Sequence, residues 1–153
     1  MLDAWEADRA RREDDRRRDG ETKAQWLLRT AASGAPAAQV RLGWHYREGD
    51  EVPQSDFAAV YWFGQAVEQD SADAADHLGW MIKMGRGADR DDAEAVRLFR
   101  ISADGDHAQG MFNLALMLLD GHGTARNVGE AKAWLDRAAE KGHAAARKKL
   151  DEL

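Results

Sequence analysis

The residues of this 153-residue chain best suited to acid–base or metal chemistry are its five histidines, His45, His77, His107, His122 and His143. Imidazole changes charge near neutral pH and is the commonest nitrogen ligand for metals. Asp120 and His122 form a tight acid–histidine pair. A hydrolase or metal protein built on that pair needs a third ligand or a nucleophile, and the neighbouring sequence offers none. The chain has no cysteine, which removes thiolate ligands, cysteine nucleophiles and disulfides together. Gly85-Arg86-Gly87 and Gly121-His122-Gly123 have the look of phosphate-cradling loops. Neither carries the third glycine or follows a strand pattern, so both read as turns. The expectation is a protein that is not an enzyme and carries no cofactor and no metal.

Charge narrows the partners. The 28 acidic and 22 basic residues leave a formal net charge of -6, which argues against nucleic acid or an anionic membrane surface, since both reward clustered positive charge. No run approaches the roughly 18 apolar residues of a membrane span. No basic stretch followed by an apolar run opens the chain, so a cytoplasmic location is expected.

The elements that must position these side chains are set by a repeat. Leu42, Leu78, Leu114 and Leu150 fall 36 residues apart, as do Gly49, Gly85 and Gly121, and Ala59, Ala95 and Ala131. Further columns read Trp26, Trp62, Leu98, Trp134; Trp44, Trp80, Leu116; and Ala38, Ala74, Gly110, Ala146. Several independent columns sharing one period identify a tandem array. Each unit reads as two helices. Helix A of the first full unit is expected over about 37–48, with Ala38, Leu42 and Tyr46 on one face, and it stops at Gly49, a residue suited to a left-handed helix end. Helix B is expected after Asp19, Ser55, Asp91 and Asn127, all good N-caps. Glu94 and Glu130, three residues after their caps, suggest capping boxes.

The register divides the chain into a charged N-terminal helix or arm (1–18) and a solenoid (19–153). The solenoid comprises a half unit at 19–34, full units at 35–70, 71–106 and 107–142, and a polar capping helix at 143–153. The arm pairs acids four residues before arginines, as at Asp8/Arg12, Glu13/Arg17 and Asp14/Arg18, which supports a solvated helix. Leu2 and Trp5 are its large apolar residues, and Trp5 could anchor a contact.

Ala38…Leu42-Gly43…Tyr46…Gly49 in the first unit, and Gly121-His122-Gly123…Asn127…Ala131…Trp134…Ala138-Ala139…Gly142-His143 in the third, resemble the Sel-one-like repeat family, a relative of the tetratricopeptide repeats. The resemblance covers about 19–153. It departs at Glu51, at Leu98 in the tryptophan column, and at Asp70 and Asp106, where the family favours glycine. It implies an all-α, right-handed superhelical solenoid of antiparallel helix pairs that serves as a non-catalytic adaptor. The family's common histidine at the start of helix A makes His107 and His143 structural.

In related helix-pair repeats the position of Trp44 and Trp80 faces the concave surface. Helix A stripes then place Val40, Arg41, Trp44 and Arg47 in the first unit, Asp76, His77, Trp80 and Lys83 in the second, and Phe112, Asn113, Leu116 and Leu119 in the third. Ten of these, namely Val40, Arg41, Trp44, Arg47, Asp76, His77, Trp80, Lys83, Asn113 and Leu116, are the expected partner-binding residues. An apolar anchor with a polar rim suits a protein or peptide partner. His45 reads by default as a solvated or packed histidine, with a place toward this groove as the alternative. Trp26, Trp62 and Trp134 are expected to fill seams between helices. The net charge fits a basic partner, and the narrower alternative is an immunity or antitoxin protein that neutralises a bacterial toxin. A monomer or weak homo-oligomer is expected.

Overall fold

A computed structural model describes residues 17–153. Residues 1–16, most of the expected arm and its Trp5 included, lie outside the described residues. Eight helices and no strand occur among the described residues: α1 (Lys23–Ala32), α2 (Pro36–Glu48), α3 (Asp56–Val67), α4 (Ala72–Met84), α5 (Asp92–Asp104), α6 (Ala108–Asp120), α7 (Val128–Glu140) and α8 (Ala144–Asp151). Helix A of each unit is α2, α4, α6 and α8, and helix B is α1, α3, α5 and α7. Each helix packs on its neighbours in sequence, giving a superhelical solenoid of antiparallel pairs. The A-layer helices α4 and α6 also touch each other, with no comparable B-layer contact. Successive helices crowd on the inner side of a curved stack, so the A layer lines the concave face.

Local chemistry sets the helix boundaries. Ser55, Asp91 and Asn127 accept from the backbone N–H three residues on, satisfying donors that the first turn cannot. Asp19 does not do this. Thr22 caps α1, and Gln25 closes a reciprocal capping box there, so this helix begins three residues later than the register predicts. Glu94 and Glu130 do not complete the expected boxes. Their carboxylates turn outward to arginines instead, Glu94 to Arg97 at 2.6 Å and Glu130 to Arg100 at 2.6 Å.

The glycine columns mark left-handed backbone, with φ of 72° at Gly49, 65° at Gly85 and 68° at Gly121. Glu51, Asp70 and Asp106 hold φ of 64°, 62° and 65° without being glycine, a conformation that costs roughly 1–2 kcal/mol per residue. The fold keeps its turn geometry there despite the substitutions. Glu51 has a specific reason. Its equivalents Gly87 and Gly123 lie against the backbone carbonyls of Asp56 and Asp92, leaving no room for a Cβ. The late start of α1 leaves that place open in the first unit, and Glu51 reaches Lys23 Nζ at 3.2 Å.

The core lies between the two layers. It is built by Leu42, Leu78 and Leu114 from helix A, by the alanines 59, 95 and 131, and by Leu27, Phe63, Phe99 and Leu135 from helix B. The last column corrects the seam assignment of the tryptophans. Trp26, Trp62 and Trp134 sit one residue earlier, are half-buried and cap the seams from outside. Only Leu98 in that column is fully buried. An indole is too large for the closest approach of two helices, which takes the next position round the helix.

Candidate functional site

The A layer carries two chains of hydrogen bonds that cross from unit to unit. In the first, Arg47 of α2 donates from Nη1 to His77 Nδ1 of α4 at 3.3 Å. His77 Nε2 faces Asp73 Oδ1 at 3.3 Å, and Asp73 also faces His107 Nε2 at 3.6 Å. The hydrogen bond from His77 holds the Asp73 carboxyl below the usual carboxylate range. In the second, His143 Nε2 meets Gln109 Oε1 at 2.9 Å, Gln109 Nε2 donates to Asn113 Oδ1 at 3.4 Å, and Asn113 Nδ2 donates to Asp76 Oδ1 at 2.6 Å. Donors thus run one way along α8, α6 and α4 and end on the Asp76 carboxylate.

The histidine column shows why these rings sit where they do. His107 Nδ1 accepts from Gly110 N–H at 3.3 Å, and His143 Nδ1 accepts from Ala146 N–H at 3.1 Å. Both are N-caps of A-layer helices, so their Nε2 edges face the groove chains while Nδ1 is held by the backbone. His45 takes the packed reading rather than the groove. It is buried at the end of α2, with Nδ1 against the Asp50 carbonyl at 2.9 Å, because its position in the helix turns toward the following loop.

Five of the ten expected residues converge. Arg47, Asp76, His77, Trp80 and Asn113 line one concavity of about 300 Å³ where α2, α4 and α6 meet. Trp80 is half-buried as its wall, with the Arg47 guanidinium 5.8 Å and that of Arg86 5.4 Å from the ring centre. Arg47 is further held by Glu48 at 2.7 Å, and Arg86 by Asp56 at 2.8 Å. Trp44 lies outside this lining but is 39% exposed, edge-on to His45.

The remaining five do not form one continuous strip with these. Arg41 turns toward the N-terminal end, over the Trp26 ring at 5.6 Å. With Trp26, Thr30 and Ala38 it borders a separate concavity of about 260 Å³. Val40 packs on the middle core cluster, and Lys83 and Leu116 are half-buried outside the groove lining. Sequence reasoning missed Gln109 and Asp73. Their signal was available: each stands one helical turn before a stripe residue, and polar side chains occupy a column that holds Ala37 and Ala145 in the flanking units.

Asp120 and His122 are both exposed. Among the described residues no group of three His, Asp or Glu side chains is arranged to hold a metal ion. No helix among them is long and apolar enough to cross a membrane.

The family model described as Sel1 repeat matches residues 36–71, 72–107 and 108–143. Among solved structures, the chain is similar to c5321, a protective antigen of uropathogenic Escherichia coli strains displaying an SLR fold. That likeness has a TM-score of 0.79 and 29% identity over 83% of this chain and 27% of that one. It is similar to a Sel1 repeat protein from Oxalobacter formigenes, with a TM-score of 0.78 and 32% identity over 83% of this chain and 52% of that one. Helicobacter pylori cysteine rich protein B (hcpB) shares the fold at a TM-score of 0.68 and 17% identity, over 86% of this chain and 99% of that one. This chain therefore spans about a quarter and about half of the first two relatives. Among curated proteins none matches.

Proposed function

The chain belongs to the Sel1 repeat family, and from that premise we propose that it is a non-catalytic protein-interaction module whose partner lies along the concave A-layer face. Proteins of this family are generally protein-interaction modules. The observation that carries the reading is the groove where α2, α4 and α6 meet, walled by the indole of Trp80, with the exposed indole of Trp44 one helical turn before Arg47 on α2. A rigid aromatic side chain next to a partly desolvated concavity is the usual make-up of a binding hot spot. In this reading Trp44 and Trp80 are the anchors, and Arg47, Asp76, His77 and Asn113 fix the orientation of the bound segment. Val40, Arg41, Lys83 and Leu116 extend the contact beyond the groove. The preformed hydrogen-bond chains keep the groove residues in place, so little ordering cost falls on binding.

The test is affinity capture from the source organism's lysate with the wild type and a Trp44→Ala/Trp80→Ala variant, both checked for helical content and cooperative melting. A partner held by the wild type and lost by the folded variant is the expected result. A partner held equally by both moves the interface off this face.

A further inference from the structure

Asp76 is a charged groove residue at a register that the adjoining units fill with apolar side chains. Neighbouring units place Val40 and Phe112 at the same register, so the packing there accepts an apolar side chain. Asp76 is nevertheless only 6% exposed. Its Oδ1 accepts from Asn113, and no lysine, arginine or histidine among the described residues forms an ion pair with it. Its other oxygen has no hydrogen-bond partner among the described residues and is not sealed off, so it opens into the groove. Burial pushes this carboxyl up from the ordinary range. A desolvated carboxylate without a cation is costly, and its removal usually stabilises a fold unless something else pairs with it.

The surrounding charges favour one kind of occupant. Arg47 lines the groove but is paired with Glu48 and donates to His77, and Arg86 is paired with Asp56, so both guanidiniums are already engaged within the chain. Asp76 is the acid in the groove lining, and the whole chain carries -6. The one-way chain from His143 through Gln109 and Asn113 supplies donors to one Asp76 oxygen only.

We propose that this groove receives a lysine or arginine side chain of the partner segment, its cation pairing with the open Asp76 oxygen and its aliphatic stem passing along the groove that Trp80 walls. This rests on the concave-face reading above and adds the chemistry of its occupant. Paired charges in such a site set specificity as much as affinity.

The experiment is a nuclear magnetic resonance titration of the full chain with two blocked pentapeptides, acetyl-Ala-Ala-Lys-Ala-Ala-amide and its norleucine counterpart. The Trp80 indole N–H and the Asn113 side-chain amide are the reporters. Expected is a saturable shift with the lysine peptide, none with norleucine, and a loss of about thirtyfold or more in affinity in Asp76→Asn, the scale of removing one member of a buried charge pair. Asp76→Val, which copies the first unit, serves as a second variant, its fold checked by far-UV circular dichroism and cooperative melting. Equal shifts from both peptides, no saturable shift from the lysine peptide, or full binding by either variant overturns the proposal. Lysine recognition failing while Trp-dependent capture persists rejects the cation site alone. Lysine recognition persisting while capture ignores the tryptophans supports the site and moves the principal interface elsewhere.

Discussion

Replacing Gly110 by alanine puts one methyl group at the crossing of α5 and α6, where a Cβ would overlap Oγ and Cβ of the fully buried Ser102 and lie 3.2 Å from the Ala103 nitrogen. The other crossings of helix B with the next helix A show what that position tolerates. Ala74 and Ala146 stand at the register of Gly110, and they follow Ala66 and Ala138 at the register of Ser102. The first crossing differs by pairing the buried Thr30 with Ala38, and only the α5–α6 crossing divides the volume as hydroxyl and hydrogen. Overpacking by a methyl costs about 1–3 kcal/mol, and the gain in helix propensity from glycine to alanine returns about 1. Gly110→Ala should therefore lose up to about 2 kcal/mol. Ser102→Ala alone removes a 3.2 Å hydrogen bond to His107 Nδ1, worth about 0.5–1.5 kcal/mol, while His107 still caps Gly110. The double variant recreates the alanine pair of the α3–α4 and α7–α8 crossings, keeps the propensity gain and should fall within about 1 kcal/mol of wild type. The expected coupling of about 1–3 kcal/mol favours the double variant. Urea unfolding followed by far-UV circular dichroism measures all four corners of the cycle, with midpoints compared at constant slope. Costs that simply add in the double variant would refute the steric argument.

Two further outcomes follow from the same packing and electrostatics. Phe63→Ala should lose about 3–5 kcal/mol, because the ring is fully buried against Gly43 and stacked on His77. Phe57→Ala on the same helix should change stability by no more than about 0.5 kcal/mol, since it is 79% exposed, and thermal melts that rank the two equally would contradict the assigned helix face. The pH dependence of Asp76→Asn has a definite sign. The folded carboxyl is raised, so its favourable contribution is present below the unfolded pKa and is lost as pH rises through the folded value. Asn should therefore be more stable than Asp near pH 7 and lose that advantage toward about pH 4. Asp73, His77 and His107 face Asp76 in both proteins, so their titration largely cancels in the difference. Parallel stability curves across that interval would show that Asp76 is not a desolvated acid.

The period of 36 made the architecture legible before any coordinate was known. Helices, caps and left-handed turns depend on residues within four positions of one another, and a repeated column states those local rules three times over. Hence Ser55, Asp91 and Asn127 were recognisable as caps, Gly49, Gly85 and Gly121 as helix ends, and His107 and His143 as structural. Asp19 failed as a cap because a column predicts by analogy, whereas Thr22 with Gln25 offered the backbone a reciprocal box three residues on. Five residues of the expected stripes line one concavity, since a helical stripe is fixed by 3.6 residues per turn.

What the column pattern could not supply was the angle at which one helix lies on the next. That angle decided that Leu27, Phe63, Phe99 and Leu135 enter the core while the tryptophans beside them stay half outside. It also turned Arg41 toward Trp26 and His45 into the α2 terminus. The chain from His143 to Gln109, Asn113 and Asp76 joins residues of three units, and no short-range rule relates them. Sequence determined each helix and its amphipathic faces, because those arise from contacts within a turn. The tertiary stack alone decided which polar side chains meet, because that depends on how adjacent units curve against one another.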